Sequence, residues 1–210
     1  MQADPCPPAA EVRVLDQVLQ RQQPGLEIRG YSPRLATTMF GLPSLKHWCV
    51  WIDPNPEPVD RWSLRWRRGV DSALRQWSQL LPITLVENPD RAQIRVRRQR
   101  PRRRRTSTGW RASNGRSILQ LVELTRDGQR WREPLVEVLV SPELRAQVLE
   151  ATALHELGHA FGLWGHSDQS SDALAVHQGS KPVLQPTLRD KQTLQWVRQQ
   201  SNRFGLISED

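Results

Sequence analysis

The sequence has few cysteines and no long apolar run. Its only cysteines are Cys6 and Cys49, and two cysteines exclude a small secreted scaffold held by several disulfides, although one bridge is possible. No apolar run approaches the roughly 20 residues that a membrane-spanning helix needs. Residues 1–8 also lack the charged and then apolar pattern of a signal peptide. As written, the chain is expected in the cytoplasm with no transmembrane segment, and it would be secreted if the true N-terminus were longer.

The sequence is rich instead in tryptophan and in positive charge. Its 210 residues suffice for one domain with a sizeable core. Only 37% of the residues are hydrophobic, but nine tryptophans each contribute a large apolar area. The formal net charge is +8. Seven arginines lie within residues 97–105, so much of the excess positive charge is concentrated there. Because like charges repel and proline breaks regular structure, this run predicts a surface loop.

Residues 155–166 read HELGHAFGLWGH and carry the most specific chemical pattern in the chain. On a helix, His155 and His159 are four residues apart, so both imidazoles leave the same face and can bind one ion. Glu156 lies beside the first of them, where a carboxylate can accept a proton from a metal-activated water. A bare HExxH can also be a helix whose two histidines merely lie side by side. The glycine and the third histidine that follow favour a metal site.

With these residues, the segment resembles the zinc-binding signature HExxHxxGxxHS of the matrixins, a group of the metzincin metallopeptidases. The resemblance implies one catalytic zinc ion held by His155, His159 and His166. It also implies a zinc endopeptidase that hydrolyses peptide bonds of a protein or peptide substrate, in which Glu156 is the general base toward a zinc-activated water. One residue departs from the pattern, since His166 follows Gly162 by four positions instead of three. The same longer loop is known in stand-alone bacterial matrixin-like proteins.

Two departures from the matrixin pattern leave alternatives open. If the longer loop carries His166 away from the metal, the fallback donors are Asp168, Asp172 and His177. Leu174 stands where metzincins place a methionine beneath the ligands, and leucine is close enough in volume to give the same apolar support. The alternative to an enzyme is therefore a catalytically silent zinc-containing fold that acts as a binding module, possibly through the arginine-rich loop.

Hydrophobic periodicity predicts a helix, a strand, a second helix, four strands and two further helices, in that order. The strands are expected at residues 47–52, 83–86, 92–96, 117–124 and 135–140, and the helices at 9–23, at 60–80, from 141 through the HExxH motif, and at 187–199. In the second of these helices, Trp62, Trp66 and Trp77 recur at helical spacing and are expected to face the core. Ser141 is the expected N-cap of the HExxH helix, and Trp131 is placed in the turn region before the last strand.

This element order predicts an α+β fold. Together with the resemblance, it implies a metzincin-like zincin: a twisted, mostly parallel five-stranded sheet with two long helices, one of which carries HExxH, and a small C-terminal subdomain with a last helix. The expected organisation is an N-terminal extension over residues 1–46, a matrixin-like metallopeptidase domain over 47–204, and a tail over 205–210. In the last helix, Leu188, Leu194 and Val197 are the expected buried side.

The arginine-rich loop, residues 97–105, has two interpretations. It is either a solvated surface loop or a contact for a polyanion such as a nucleic acid, an anionic membrane or an acidic polymer. In matrixins this region holds structural metal ions, and calcium requires clustered oxygen ligands. Because the loop offers arginines, we expect structural Ca²⁺ and a second Zn²⁺ to be absent.

Cys6 invites comparison with the propeptide cysteine that caps the zinc in matrixin precursors. Its neighbours, Asp-Pro-Cys-Pro-Pro, do not reproduce that motif, so Cys6 is expected to be a free thiol in a proline-rich segment. Joint ligation of zinc by Cys6 and Cys49 is not expected either, since the two lie far apart in the chain and lack a CxxC spacing.

Overall fold

The computed structural model describes residues 4–16, 19–21, 28–106, 109–111, 113–177 and 181–208. The strands are β1 Glu11–Leu15, β2 Gln20–Arg21, β3 Ala36–Thr37, β4 Trp48–Ile52, β5 Ile83–Leu85, β6 Ile94–Arg97, β7 Arg104–Thr106, β8 Gly109–Arg111, β9 Gly115–Arg126 and β10 Gln129–Val140. The α-helices are α1 Arg61–Ser78, α2 Ala146–Ala160 and α3 Leu188–Gln199.

The main sheet has six strands in the order β1-β9-β10-β6-β4-β5. Neighbours among β10, β6, β4 and β5 are parallel, whereas β9 is antiparallel to both β10 and β1. The mixed α+β architecture and the mostly parallel sheet agree with the sequence prediction. The predicted count of five strands is wrong by one, because β1 joins the sheet at its edge.

The prediction of a helix over residues 9–23 is wrong where the structure describes it. Residues 11–15 form β1, which pairs with Leu121–Thr125 of β9, and Val12 and Val14 remain exposed. A helix here would have to bury its apolar stripe, but the outer edge of β9 offers unpaired backbone groups instead. The described β1 residues, part of the expected N-terminal extension, thus take part in the sheet, whereas residues 17, 18, 22 and 23 lie outside the described part.

Helix α1 confirms the predicted helix and most of its buried stripe. Trp66 and Trp77 are fully buried, and their indole N–H groups donate to backbone carbonyl oxygens at 3.1 and 3.0 Å. Trp62 does not join them, contrary to the prediction, since 48% of it is exposed. The guanidinium groups of Arg61 and Arg65 lie 4.8 and 4.3 Å from the Trp62 ring, so a cation–π contact stabilises it at the surface.

The helix that carries HExxH begins later than predicted. Helix α2 starts at Ala146, and Ser141 continues from β10, donating its backbone N–H to the Asn114 carbonyl. The N-cap is Arg145, which makes no side-chain cap. Trp131 is likewise misplaced by the sequence, because it lies within β10, and the turn between β9 and β10 consists of two residues, 127 and 128.

Helix α3 begins with the predicted capping box, in which Thr187 accepts from the Asp190 backbone and the Asp190 side chain from the Thr187 backbone. Leu194 and Val197 are buried as predicted. Leu188 is not, since 70% of it is exposed, because its position in the first helical turn points away from the core.

The segment after α3 packs along the first part of β10, on the side where β6 pairs only with residues 136–139. The Gly205 N–H donates to the Arg132 carbonyl oxygen at 2.8 Å, the Ser208 N–H donates to that of Arg130 at 2.7 Å, and Phe204 is buried. The described part of the expected tail therefore contacts the domain through backbone hydrogen bonds.

The prediction of a free thiol at Cys6 is wrong, because Cys6 and Cys49 form a disulfide. Side chains alternate along β4, so Cys49 leaves the sheet on the face opposite Trp48 and Val50, which belong to the helix-covered core. The chain before β1 runs along this second face, where Arg91 donates to the Cys6 carbonyl oxygen at 2.7 Å. The large separation in sequence hid this pairing.

Within the residues that the structure describes, no helix is long and apolar enough to cross a membrane.

The crossing of α1 over α2 depends on Gly69. A Cβ built on Gly69 would come within 2.4 Å of Leu149 Cδ2, so Gly69→Ala is expected to destabilise the protein by about 1–3 kcal/mol through overpacking. Helix propensity alone would favour alanine by about 1 kcal/mol. Chemical denaturation measures the change in unfolding free energy, with Arg75→Ala on the exposed side of α1 as the control. A more stable Gly69→Ala variant would show that the two helices do not pack this closely.

Candidate metal centre

Three histidines meet at the C-terminal end of α2. The ligand nitrogens of His155, His159 and His166 lie within 4.8 Å of one another. The Nε2 atoms of His155 and His159 are 3.1 Å apart, and the ring of His166 lies 5.2 and 4.8 Å from those of His155 and His159. The structure therefore brings together the three histidines that the sequence singles out.

Backbone carbonyls orient the two helical imidazoles. His155 Nδ1 lies 2.8 Å from the Ala173 carbonyl oxygen, and His159 Nδ1 lies 2.7 Å from that of Leu163. A carbonyl oxygen can only accept, so each Nδ1 donates and each neutral ring has an unprotonated Nε2. Two such lone pairs face each other at 3.1 Å. Two ligands of a tetrahedral zinc ion lie about 3.3 Å apart at ordinary Zn–N distances, so the nitrogens fit this ion.

The environment keeps these imidazoles neutral. Burial lowers the pKa of His155 to about 4, with the neighbouring His166 acting in the same direction and the hydrogen bond to Ala173 opposing it. Burial, followed by His155 and His166, holds the pKa of His159 well below its usual value. Burial also lowers the pKa of His166. Neutral imidazole is the form that binds a metal ion, so at neutral pH no proton has to leave the three rings first.

The longer loop before His166 is accommodated by packing against the preceding part of the chain. Gly162 adopts φ +111°, where the chain leaves the helix, and Leu163 is fully buried. The Trp164 carbonyl accepts from the Ala36 N–H at 2.6 Å. A Cβ on Gly165 would lie 2.3 Å from the Arg34 carbonyl oxygen, so only glycine permits this close approach. The extra residue therefore does not carry His166 away from the other two histidines.

Glu156 is buried between α2 and the start of β9. Its carboxylate accepts from the Ser117 hydroxyl at 2.8 Å, and a Cβ on Gly115 would lie 2.6 Å from its Cγ. Burial raises the pKa of Glu156 to about 7, although the hydrogen bonds from Ser117 and the charge of Arg116 oppose the shift. A carboxylate with a pKa near neutrality can both accept and donate a proton at that pH.

Leu174 lies beneath the helix that carries the histidines. It is fully buried, and a Cβ on Gly158 would lie 2.7 Å from its Cδ2. The Leu174 carbonyl accepts from the Ser167 N–H at 2.9 Å, which closes the turn that follows His166. Leu174 is therefore packed against α2 at Gly158, as expected for a residue that gives apolar support.

Asp190 positions the backbone that orients His155, and the sequence interpretation missed this role. Its Oδ2 accepts from the Ala173 N–H at 2.9 Å, and its Oδ1 accepts from the Tyr31 hydroxyl at 2.8 Å. The side chain is completely buried. Asp190 thereby fixes the peptide unit next to the carbonyl that holds His155. The capping box at Thr187 was the available signal, but it indicated only a helix start.

The fallback donors lie elsewhere. Asp168 is ion-paired with Arg34 and Arg189 at 3.3 and 2.9 Å. Asp172 is buried and accepts hydrogen bonds from Ser167 and Thr187. His177 is exposed and lines the same open cleft as His166, a space of about 750 Å³. Neither aspartate nor His177 belongs to the three-histidine cluster.

The edge of β9 beside Glu156 is open. Strand β1 pairs only with Leu121–Thr125, so within the described part of the chain residues 115–120 have backbone groups without a strand partner on their outer side. Ile118 and Gln120 are exposed along this stretch. An unpaired edge of this kind can accept an extended peptide as an additional strand.

The prediction of a loop over residues 97–105 holds only for residues 98–103, because Arg97 ends β6 and Arg104 begins β7. The charge of this arginine-rich segment is partly neutralised. Arg97 pairs with Asp53 and Glu137, and Arg100 pairs with Glu143. The expected absence of structural calcium and of a second zinc ion at this loop stays a prediction.

The variants His166→Ala and His177→Ala test which of these two histidines of the cleft is the third zinc ligand. Loss of one of three ligands is expected to weaken zinc binding at least 100-fold, whereas His177→Ala should leave it unchanged. Zinc per chain by elemental mass spectrometry, with chelator competition for affinity, measures both. Equal zinc affinity in wild type and His166→Ala would contradict the assignment.

Asp190→Ala is expected to disturb both the fold and the site. It removes the carboxylate that accepts from the Ala173 N–H and from the buried Tyr31 hydroxyl, a loss of about 2–5 kcal/mol of unfolding free energy, and it should lower zinc affinity by about 10-fold or more. Asp168→Asn, at an exposed ion pair, is the control and should leave the unfolding free energy almost unchanged. If thermal unfolding and zinc affinity of Asp190→Ala matched those of the control, Asp190 would not position His155.

Similarity to known proteins does not identify this chain. No family model matches the sequence, and a search of curated proteins finds no matching relative.

Proposed function

We propose that this protein is a zinc-dependent endopeptidase of the metzincin type, similar to the matrixins. The single observation that carries the proposal is the convergence of His155, His159 and His166 within 4.8 Å, with Glu156 on the same helix. Three neutral imidazoles form the ligand set of a catalytic zinc ion, which keeps a further position for water or substrate. A structural zinc site would supply a fourth protein ligand, and within the described residues no fourth His, Cys, Asp or Glu joins this group.

In this proposal the zinc ion, when bound, lowers the pKa of a water and polarises the scissile carbonyl group. Glu156 accepts the proton of the attacking water and later donates it to the leaving amine nitrogen. Its pKa of about 7 supports this double role, since the residue must hold the proton only transiently. Ser117 orients the carboxylate through the hydrogen bond to Oε2.

The open edge of β9 supports a peptide as the substrate. A substrate in extended conformation can form backbone hydrogen bonds with residues 115–120, and these residues adjoin Glu156 through Gly115 and Ser117. Backbone pairing positions a peptide bond independently of its side chains. The cleft next to His166 offers room for a substrate side chain.

The second candidate function is a binding module without catalysis. Arg102 and Arg103 are exposed, and no acidic side chain of the described residues pairs with them. They favour contact with a polyanion through the arginine-rich loop. The buried general-base candidate Glu156 favours the enzyme, because a binding module does not need a carboxylate with a raised pKa beside its metal ligands.

Glu156→Gln tests the two candidates. Glutamine retains the shape and hydrogen bonds of the side chain but cannot accept the proton, so peptide hydrolysis is expected to fall by about 10²–10⁴-fold while zinc content stays at the wild-type level. The measurement is cleavage of a fluorogenic peptide library by zinc-loaded protein, followed by mass spectrometry of the products. Glu150→Gln is the matched control, because Glu150 lies on the same helix and accepts a hydrogen bond from the Ser72 hydroxyl.

Undiminished cleavage by the Glu156→Gln variant would refute Glu156 as the base. If zinc-loaded wild type cleaved no peptide and bound polyanions in a salt-dependent way, the binding module would replace the enzyme.

A further inference from the structure

A second cluster of metal-binding atoms lies at β4. Cys6, Cys49 and His47 bring their sulfurs and one imidazole nitrogen within 4.8 Å of one another. Both cysteines are 1% exposed, and His47 is half-buried. His47 immediately precedes β4 and Cys49 is its second residue, so the two lie two positions apart, and the segment before β1 brings Cys6 to them.

The imidazole of His47 is oriented toward the sulfur. Its Nε2 lies 3.0 Å from the Thr84 hydroxyl, and its Nδ1 lies 3.9 Å from Cys49 Sγ. When Nε2–H donates to the hydroxyl, the Nδ1 lone pair is left on the side of the sulfur. A second hydrogen bond that fixes the tautomer and the ring is the usual support of a metal-binding histidine. In the disulfide form this nitrogen has only a weak interaction with sulfur.

We propose that Cys6, His47 and Cys49 form a second metal site, which takes a thiophilic divalent cation such as zinc when the disulfide is reduced. A thiol or phosphine reductant supplies two electrons, the S–S bond breaks, and two protons complete the two thiols while the reductant is oxidised. Zinc binding then releases those two protons and forms two Zn–S bonds. In the reverse direction a small-molecule disulfide accepts two electrons and is reduced to two thiols, the zinc ion leaves, and the Cys6–Cys49 bond forms again.

The charges of this site balance. Two thiolates cancel the two positive charges of a divalent cation, and the neutral imidazole adds none. The buried centre therefore carries no net charge, and burial of an uncompensated charge is avoided. Backbone oxygen is also near, since the Pro5 carbonyl oxygen lies 3.5 Å from Cys49 Sγ. The half-exposed side of His47 leaves access for water as a fourth ligand.

The chain can adjust to either state. Sulfurs that share a tetrahedral zinc ion lie about 3.8 Å apart, so the cysteines must separate when the metal replaces the bridge. Cys49 is held within the sheet, whereas Cys6 lies in a segment without regular secondary structure. The movement therefore falls on Cys6 and its neighbours.

The site would keep the N-terminal segment attached under both redox conditions. The disulfide attaches Cys6 to β4 in an oxidising compartment, and the metal would do so where thiols stay reduced. From Cys6 the chain continues directly to β1, which covers residues 121–125 of β9. The attachment thus maintains the boundary of the open β9 edge, and it uses none of the residues of the three-histidine centre.

Cobalt(II) tests this proposal, since thiolate ligands give it a sulfur-to-metal charge-transfer band that histidine ligands do not. The experiment uses the full chain as the His159→Ala variant, which weakens the three-histidine centre, oxidised or reduced with a phosphine. The expected result is no thiolate band in the oxidised protein, a band that saturates at about one cobalt per chain after reduction, and its displacement by zinc. Cys49→Ser in the same background should lose the band, and His47→Ala should weaken cobalt binding at least 10-fold.

Circular dichroism of each sample establishes that it is folded, and Cys6→Ser serves as a second variant if Cys49→Ser unfolds. Absence of the band in reduced, folded protein would overturn the proposal, and so would unchanged cobalt affinity in His47→Ala. The outcome is independent of the proposed endopeptidase, because the three-histidine centre contains no sulfur and contributes nothing to the band.

Discussion

Two unprotonated imidazole nitrogens that face each other at 3.1 Å are the constraint on which the rest of the structure depends. Lone pairs at this distance repel, and burial prevents protonation from relieving the repulsion. The arrangement persists because the fold holds each ring from its far side, through the carbonyl groups of Ala173 and Leu163. A cation between the nitrogens would turn the repulsion into attraction, so the three histidines form a group that could hold a metal ion.

The support of this centre comes from distant parts of the chain. The Ala173 peptide is held by Asp190 at the start of α3, and Asp190 in turn accepts from the Tyr31 hydroxyl, 159 positions away. Burial, together with the charge and hydrogen bonding of Asp190, raises the pKa of that tyrosine, so it stays a donor. The turn that contains Tyr31 and helix α3 therefore meet behind His155, so the centre depends on parts of the chain that are far apart in sequence.

The sheet contributes the residues of β9 that contact Glu156. Strand β9 runs antiparallel to β10, and its first residues contact Glu156 while its later residues pair with β1. The same strand thus contacts the candidate base and, within the described part of the chain, leaves the outer edge of residues 115–120 without a strand partner. The disulfide on the opposite face anchors the segment that leads to β1. In the proposed function, this one strand would hold an extended peptide beside the three histidines.

The sequence by itself determined what local periodicity controls. Histidines four residues apart share a helix face, the α1 stripe buries Trp66 and Trp77, and Thr187 caps α3, because these relations involve neighbours within one or two turns. Only the tertiary structure decided that residues 11–15 form a strand, that Cys6 meets Cys49, and that Asp190 supports His155. Each of these depends on a backbone edge, a thiol or a peptide group supplied by residues far away in the chain. Such partners leave no periodic signal, since a long-range contact is selected by the packing of the completed fold.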